Sequence, residues 1–394
     1  MKKFKSLMLA ALASAALAAP SFADGHGGPN LGITGISGEV VYELQQSSTS
    51  PDEGNSTSVM DAEVGDVNIS FKSDFYQFYF ERDDEGSLDN RLKIVPSMKS
   101  GDNYVKAVGE IKGLFGDAGS DAGPYGDVFV EGGNQSVYVK VGTFGSTEYY
   151  GNGMGVSRAS LGNGVDPDGV FKNGEHLVIS GFKGIEVGVN AGDIKFEVAL
   201  PWMNSGDSSA YALTSSKDQT VNGTAIAKGD KVASNITGVR PGVQFSAGDV
   251  SVKAIAYSLS IQKQNSDIDT DEMSRSGAQL VGSFNAGSAT IGAFYSTATE
   301  KDGSTDVTPT AGGANVTVAL GSGQKVGASF DTANNGQDDA AEVTSTRFSA
   351  SYQMPFFVEA LSLKLGVGTS TESSDTDALA GSASSMEAEW AYKF

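Results

Sequence analysis

The 394-residue chain carries 48 acidic against 27 basic side chains, a formal net charge of −21, and no cysteine. That balance argues against nucleic acid as a partner, because phosphate binding needs clustered Lys and Arg, and without thiols an exported fold is held by backbone pairing and packing alone. Glycine, at 51 residues, is frequent but spread along the chain rather than gathered in a linker, and 10 prolines are too few for a disordered stalk.

In chain order the first element is a leader. Lys2, Lys3 and Lys5 form a positive start, Leu7 to Leu17 an apolar run, and Ser21-Phe22-Ala23 places small residues three and one before a cut ahead of Asp24. This is the order of a secretory signal peptide spanning 1–23 and cleaved near Ala23. Its removal takes three lysines and no acid, leaving 371 residues with a net charge of −24. Residues 24–35 read as a flexible N-terminal segment. No later stretch approaches 18 uninterrupted apolar residues, which excludes a helical membrane protein.

From 36 to 394 the recurring signal is period two, the spacing that sends successive side chains to opposite faces of a strand. Val105, Ala107, Gly109 and Ile111 share one face, against Tyr104, Lys106, Glu110 and Lys112 on the other. Leu92, Ile94, Pro96 and Met98 repeat the scheme opposite Arg91 and Lys93, as do Val137, Val139 and Val141 opposite Tyr138 and Lys140. Strands are predicted at 36–46, 61–71, 75–82, 90–98, 103–114, 127–132, 136–142, 176–190 and 194–201. Nine more follow at 236–245, 250–261, 276–285, 288–297, 313–320, 325–330, 343–353, 360–368 and 384–394. Segment 250–261 departs from the scheme by carrying apolar residues on both faces. Short turns such as Ala191-Gly192-Asp193 and Ala247-Gly248-Asp249 alternate with long connections, among them 47–60, 143–175, 202–235, 262–275, 298–312 and 370–382.

This layout predicts an all-β fold: a transmembrane antiparallel up-and-down β-barrel of 16–18 strands, with short periplasmic turns and long outer loops. A soluble β-sandwich or adhesin also alternates, but the last strand argues otherwise. Met386, Ala388, Trp390, Tyr392 and Phe394 share one face up to the final residue, where a soluble fold would fray.

The terminal Trp390-Ala391-Tyr392-Lys393-Phe394 resembles the aromatic signature that outer-membrane proteins present to the barrel-assembly machinery. Asp127 to Gly132 followed by Val137 to Thr143 resembles the hairpin before the constriction loop of the Gram-negative general porins. By that resemblance 143–175 folds back into the lumen, with Glu148, Arg158, Asp166, Asp168, Lys172 and Glu175 as constriction-loop candidates, and Trp390, Tyr392 and Phe394 form the assembly signal. The family implies a homotrimer in the outer membrane of a Gram-negative bacterium, among lipid and lipopolysaccharide, passing small hydrophilic solutes and ions by diffusion. Alignment to it leaves one hairpin extra ahead of residue 90, so 16 and 18 strands both stay open.

Alternation supplies pore-wall candidates Arg91, Lys93, Lys106, Glu110, Lys112, Lys140, Arg240 and Arg347. A basic wall facing an acidic loop sets a transverse field that selects polar solutes, and the mature charge points to weak or moderate cation selectivity. The competing readings are a substrate-specific channel, drawn from Tyr79, Tyr104, Tyr138 and Tyr257 as lumenal aromatics, and a barrel enzyme. Catalysis has little to work with: only His26 and His176 are available, neither with an evident partner. No cofactor is expected. Asp267, Asp269 and Asp271 alternate, but Glu272 and Ala278 stand where a calcium loop needs Gly and Glu, leaving weak divalent cation binding at most. Gly151-Asn152-Gly153-Met154-Gly155 lacks the Lys-Ser/Thr of a phosphate loop.

Overall fold

The computed structural model describes residues 33–51, 55–63, 67–73, 76–82, 88–112, 125–144, 182–204, 213–222, 224–270, 273–302, 305–337, 342–374 and 380–393. Nine strands come first: β1 (Gly35–Pro51), β2 (Thr57–Glu63 continued by Val67–Lys72), β3 (Tyr76–Arg82), β4 (Leu88–Ile94 continued by Ser97–Ser100), β5 (Asn103–Lys112), β6 (Tyr125–Gly133), β7 (Val137–Phe144), β8 (Phe182–Ala191) and β9 (Ile194–Asn204). The second nine are β10 (Ser234–Ala247), β11 (Val250–Lys263), β12 (Met273–Ala286), β13 (Ala289–Asp302), β14 (Thr305–Val307 continued by Thr310–Gly321), β15 (Gln324–Asn334), β16 (Thr344–Phe356), β17 (Val358–Ser373) and β18 (Gly381–Lys393).

Each strand pairs antiparallel with the next, and β18 returns to β1 from Glu39↔Lys393 to Pro51↔Gly381, closing an 18-stranded barrel. The count is therefore 18. The extra hairpin ahead of residue 90 is part of the wall: both pieces of β2 pair with β1, with the register slipping by one residue between them. Closure matters because hydrocarbon tolerates no unpaired sheet edge.

The tight turns fall where the sequence placed them. Gly101, Gly192, Gly248 and Gly287 take φ of 62, 63, 55 and 64°, the left-handed form that a two-residue hairpin loop demands at its first position. Strand ends differ from expectation at the other rim. β1 runs to Pro51 rather than 46, β13 to Asp302 rather than 297, and β17 to Ser373 rather than 368. The extensions of β1 and β17 are rich in Ser and Thr, which by composition look like loop. Across β1 and the approach to β2 the hydroxyls pair instead: Ser48 with Ser58 at 3.1 Å, Thr49 with Thr57 at 2.7 Å and Ser50 with Ser56 at 3.0 Å. At the N-terminal boundary, Gly35 already belongs to β1 and the Thr34 N–H donates to the Lys72 carbonyl. Thr143 and Phe144 still belong to β7; β8 is described from Phe182, and 176–181 of the expected strand lie outside the described residues.

Facing follows parity. On β9, Val198 is 40% exposed while its neighbour Glu197 is 2% exposed, and Phe196, Leu200 and Trp202 join Val198 on the outer surface. The same belt continues through Val105, Val130, Val139, Val187, Leu280, Tyr295, Phe330, Phe348, Leu365 and Met386. A continuous apolar surface of this extent is tolerated against lipid, not water. At the seam the Trp390 ring of β18 lies 5.8 Å from the Tyr42 ring of β1.

Candidate pore lining

The inner face of β5 to β10 carries a row of charges. In register, Lys106 opposes Glu131, Glu131 opposes Lys140, Lys140 opposes Glu186, Glu186 opposes Ala199, and Ala199 opposes Arg240. Sign alternates along the row, so each cation finds a carboxylate on the adjacent strand. Lys106 Nζ is 3.3 Å from Glu131, Lys140 Nζ 3.1 Å from Glu186, and Arg240 Nη2 3.5 Å from Glu186 and 4.0 Å from Glu197. Lys195 closes on Glu197 at 3.1 Å. Tyr104 and Tyr138 donate their hydroxyls to Glu131 and Glu186 at 2.7 and 2.8 Å. The Phe129 ring lies beneath both Lys106 and Lys140, at 5.7 and 5.4 Å.

Two glycines make room for this row. A Cβ on Gly188 would stand 2.0 Å from the Tyr138 ring, and one on Gly242 would stand 2.9 Å from Glu197 Cγ. Missing side chains thus let a tyrosine and a glutamate lie flat along the wall and reach partners one strand away.

Farther round, Arg275 pairs with Glu300 at 2.6 Å, Asp331 opposes Arg347 in register, and Lys364 lies between Glu387 at 3.0 Å and Glu389. Arg91 approaches Glu110 at 4.0 Å and stands over the Tyr79 ring. Lys93 opposes Glu110, and Lys112 opposes Arg91. Arg91, Lys106, Glu110, Lys140, Arg240 and Arg347 therefore do share the inner surface. Carboxylates interleave with the cations among them, so this part of the wall is mixed in sign.

Glu131, Glu186, Lys195, Arg275, Glu300, Asp331 and Glu372 join this surface without being among the sequence-predicted pore-wall residues. The signal was present: Glu131 alternates with Val130, and Glu186 with Val187, as cleanly as Lys106 does with Val105. Constriction-loop candidates Glu148, Arg158, Asp166, Asp168, Lys172 and Glu175, together with His26, His176, Asp271 and Phe394, lie outside the described residues. Trp390 and Tyr392 sit on the outer face. Asp269 makes an ion pair with Lys217.

One arc of the inner wall is apolar. Ile236, Tyr257, Leu259, Ile261, Met273 and Phe294 form a buried cluster with Ala298, Ala311 and Ala333. They share parity with Arg240, Arg275 and Glu300, and so face inward.

No family profile and no curated protein sequence matches the chain. Solved structures match its shape. An anion-selective porin from Comamonas acidovorans is 14% identical, with 91% of this chain and 99% of that chain covered and a TM-score of 0.52. Outer-membrane-expressed OmpT of Vibrio cholerae is 12% identical over 91% and 97% of the two chains, with a TM-score of 0.51. OmpF of Salmonella typhi is 9% identical over 91% and 97%, with a TM-score of 0.50. Likeness at such identity is likeness of fold: the chain is a transmembrane antiparallel β-barrel of outer-membrane type. Within that class its architecture is porin-like.

Proposed function

We propose that the chain is an outer-membrane channel for passive diffusion of ions and small hydrophilic solutes, weakly cation-selective. The observation that carries this reading is the contrast between the two faces of one closed sheet. Apolar side chains cover the outside, while ion pairs, hydroxyls and amides line the inside. A barrel of this kind with a polar interior suits a water-filled path. Cation preference is supported by the mature charge of −24 and by the acids of segment 143–175, which the porin resemblance assigns to the constriction.

Assembly as a homotrimer is part of the proposal, supported by the porin-like fold and by a trimeric form among the structures it resembles. Export by the leader, recognition of Trp390, Tyr392 and Phe394 by the assembly machinery, and packing against lipopolysaccharide complete it. Purified protein in planar bilayers is expected to give discrete ohmic steps, with a zero-current potential in a KCl gradient on the potassium side. Absence of steps from folded protein overturns the channel, and a potential on the chloride side overturns its polarity.

A further inference from the structure

The apolar arc inside the barrel has an occupant. Leu213, from the connection between β9 and β10, is 3% exposed and belongs to the same cluster as Ile236, Leu259, Ile261 and Met273. Those four are inward-facing wall residues. A connecting residue packed on them lies inside the barrel, below its outer rim. Val232, directly opposite Leu213 in a short antiparallel pair, is buried with it.

The same segment is fastened a second time beyond that stem. Ser215 bridges to Thr270 in the connection between β11 and β12. The Gln219 side chain donates to the Asp269 carbonyl at 3.0 Å and accepts from the Asp269 N–H at 3.0 Å, while Lys217 pairs with the Asp269 carboxylate. Its tip is a small hairpin, Gln219–Val221 against Thr224–Ile226. Polar capping is complete enough to hold it as a unit: Lys228 N–H donates to Asp218 and Ala227 N–H to Asp230.

We propose that the segment from Leu213 to Ala233 is a size-restricting element of the pore, seated in its outer opening and distinct from segment 143–175. The proposal rests on the channel reading above. It also explains why β11 is apolar on both faces. Leu259 and Ile261 facing an open aqueous lumen gain nothing from exposure to water, whereas a docked segment removes them from it. The outer apolar row of β11 meets lipid and the inner row meets Leu213.

Two variants test this. L213S/V232S is expected to release the stem, raising single-channel conductance and raising the rate of raffinose entry relative to arabinose in liposome swelling. T220C places a lone thiol at the exposed tip of a chain that has no cysteine. Labelling it with a bulky charged thiosulfonate is expected to lower the current through an otherwise intact barrel, whether or not L213S/V232S folds. Folded L213S/V232S with wild-type conductance and wild-type sugar ratio overturns the proposal, and so does a fully labelled T220C whose current is unchanged. If the wild type carries no current, the channel reading fails instead.

Discussion

At the scale of single residues, neighbours along a strand stand in different media, and the cost of a substitution depends on which one. Val105 is nearly half exposed on the outer surface, while Lys106 reaches Glu131 on the inner one. Arg at position 105 puts a charge into hydrocarbon, at about 2–4 kcal/mol if it lies near the midplane. Lys106→Ala leaves Glu131 with the Tyr104 hydroxyl at 2.7 Å, and the lost ion pair is partly solvated, so the cost is about 1 kcal/mol or less. Urea unfolding of Val105→Arg is therefore expected at a clearly lower midpoint than that of Lys106→Ala; equal midpoints would mean the faces are misassigned. This facing was legible because the side-chain period of a strand is two and one of the two media is apolar.

Whole elements were less legible at one end than the other. The short turns announce themselves because Gly192 and Gly248 hold backbone conformations that other residues resist. At the opposite rim, Thr49 and Ser50 extend β1 through hydroxyl pairs that composition cannot tell from loop. The docked segment 213–233 left a trace of a different kind, the two apolar faces of β11, whose inner partner comes from outside its own hairpin and has no periodicity to betray it. Its tie to Asp269 has a definite pH behaviour. The Lys217 ammonium, by hydrogen bond and charge and with Lys263 adding to it, holds the Asp269 carboxyl below the usual carboxylate range. A lowered folded-state pKa means the tie is whole above the unfolded value of about 3.9 and is lost as pH falls through the lower folded one. Conductance is expected to show no change from this tie between pH 5 and 8. D269N is expected to display at neutral pH the opening events that wild type shows only in strong acid. Identical traces for D269N and wild type at neutral pH would show that the tie does not hold the segment.

For the molecule as a whole, the inner wall and the chain carry different charge. Among the described inward positions the cations Arg91, Lys106, Lys140, Lys195, Arg240, Arg275, Arg347 and Lys364 are interleaved with Glu110, Glu131, Glu186, Glu197, Glu300, Asp331, Glu372, Glu387 and Glu389, and the two signs nearly balance. Most of the chain's formal charge of −21 must then lie off those wall positions. Charges at a mouth act on ions through water and salt, over a Debye length of ~10 Å at 0.1 M and ~3 Å at 1 M. The proposed cation preference, if of that origin, would be weak and fade with salt. The wall itself becomes selective only when its pairing is broken. Glu186 serves Lys140, Arg240 and Tyr138 together, so Glu186→Gln leaves two cations short of one carboxylate. One unit of charge felt at ~8 Å through a water-like medium is worth about 0.5 kcal/mol, or about twofold in an ion permeability ratio. The zero-current potential of Glu186→Gln in a KCl gradient is expected to move toward chloride by that much and, because the charge sits on the wall rather than at the mouth, to keep more of its shift at 1 M salt than a neutralised loop acid does. A shift that vanishes at high salt, or one toward potassium, would place Glu186 away from the ion path.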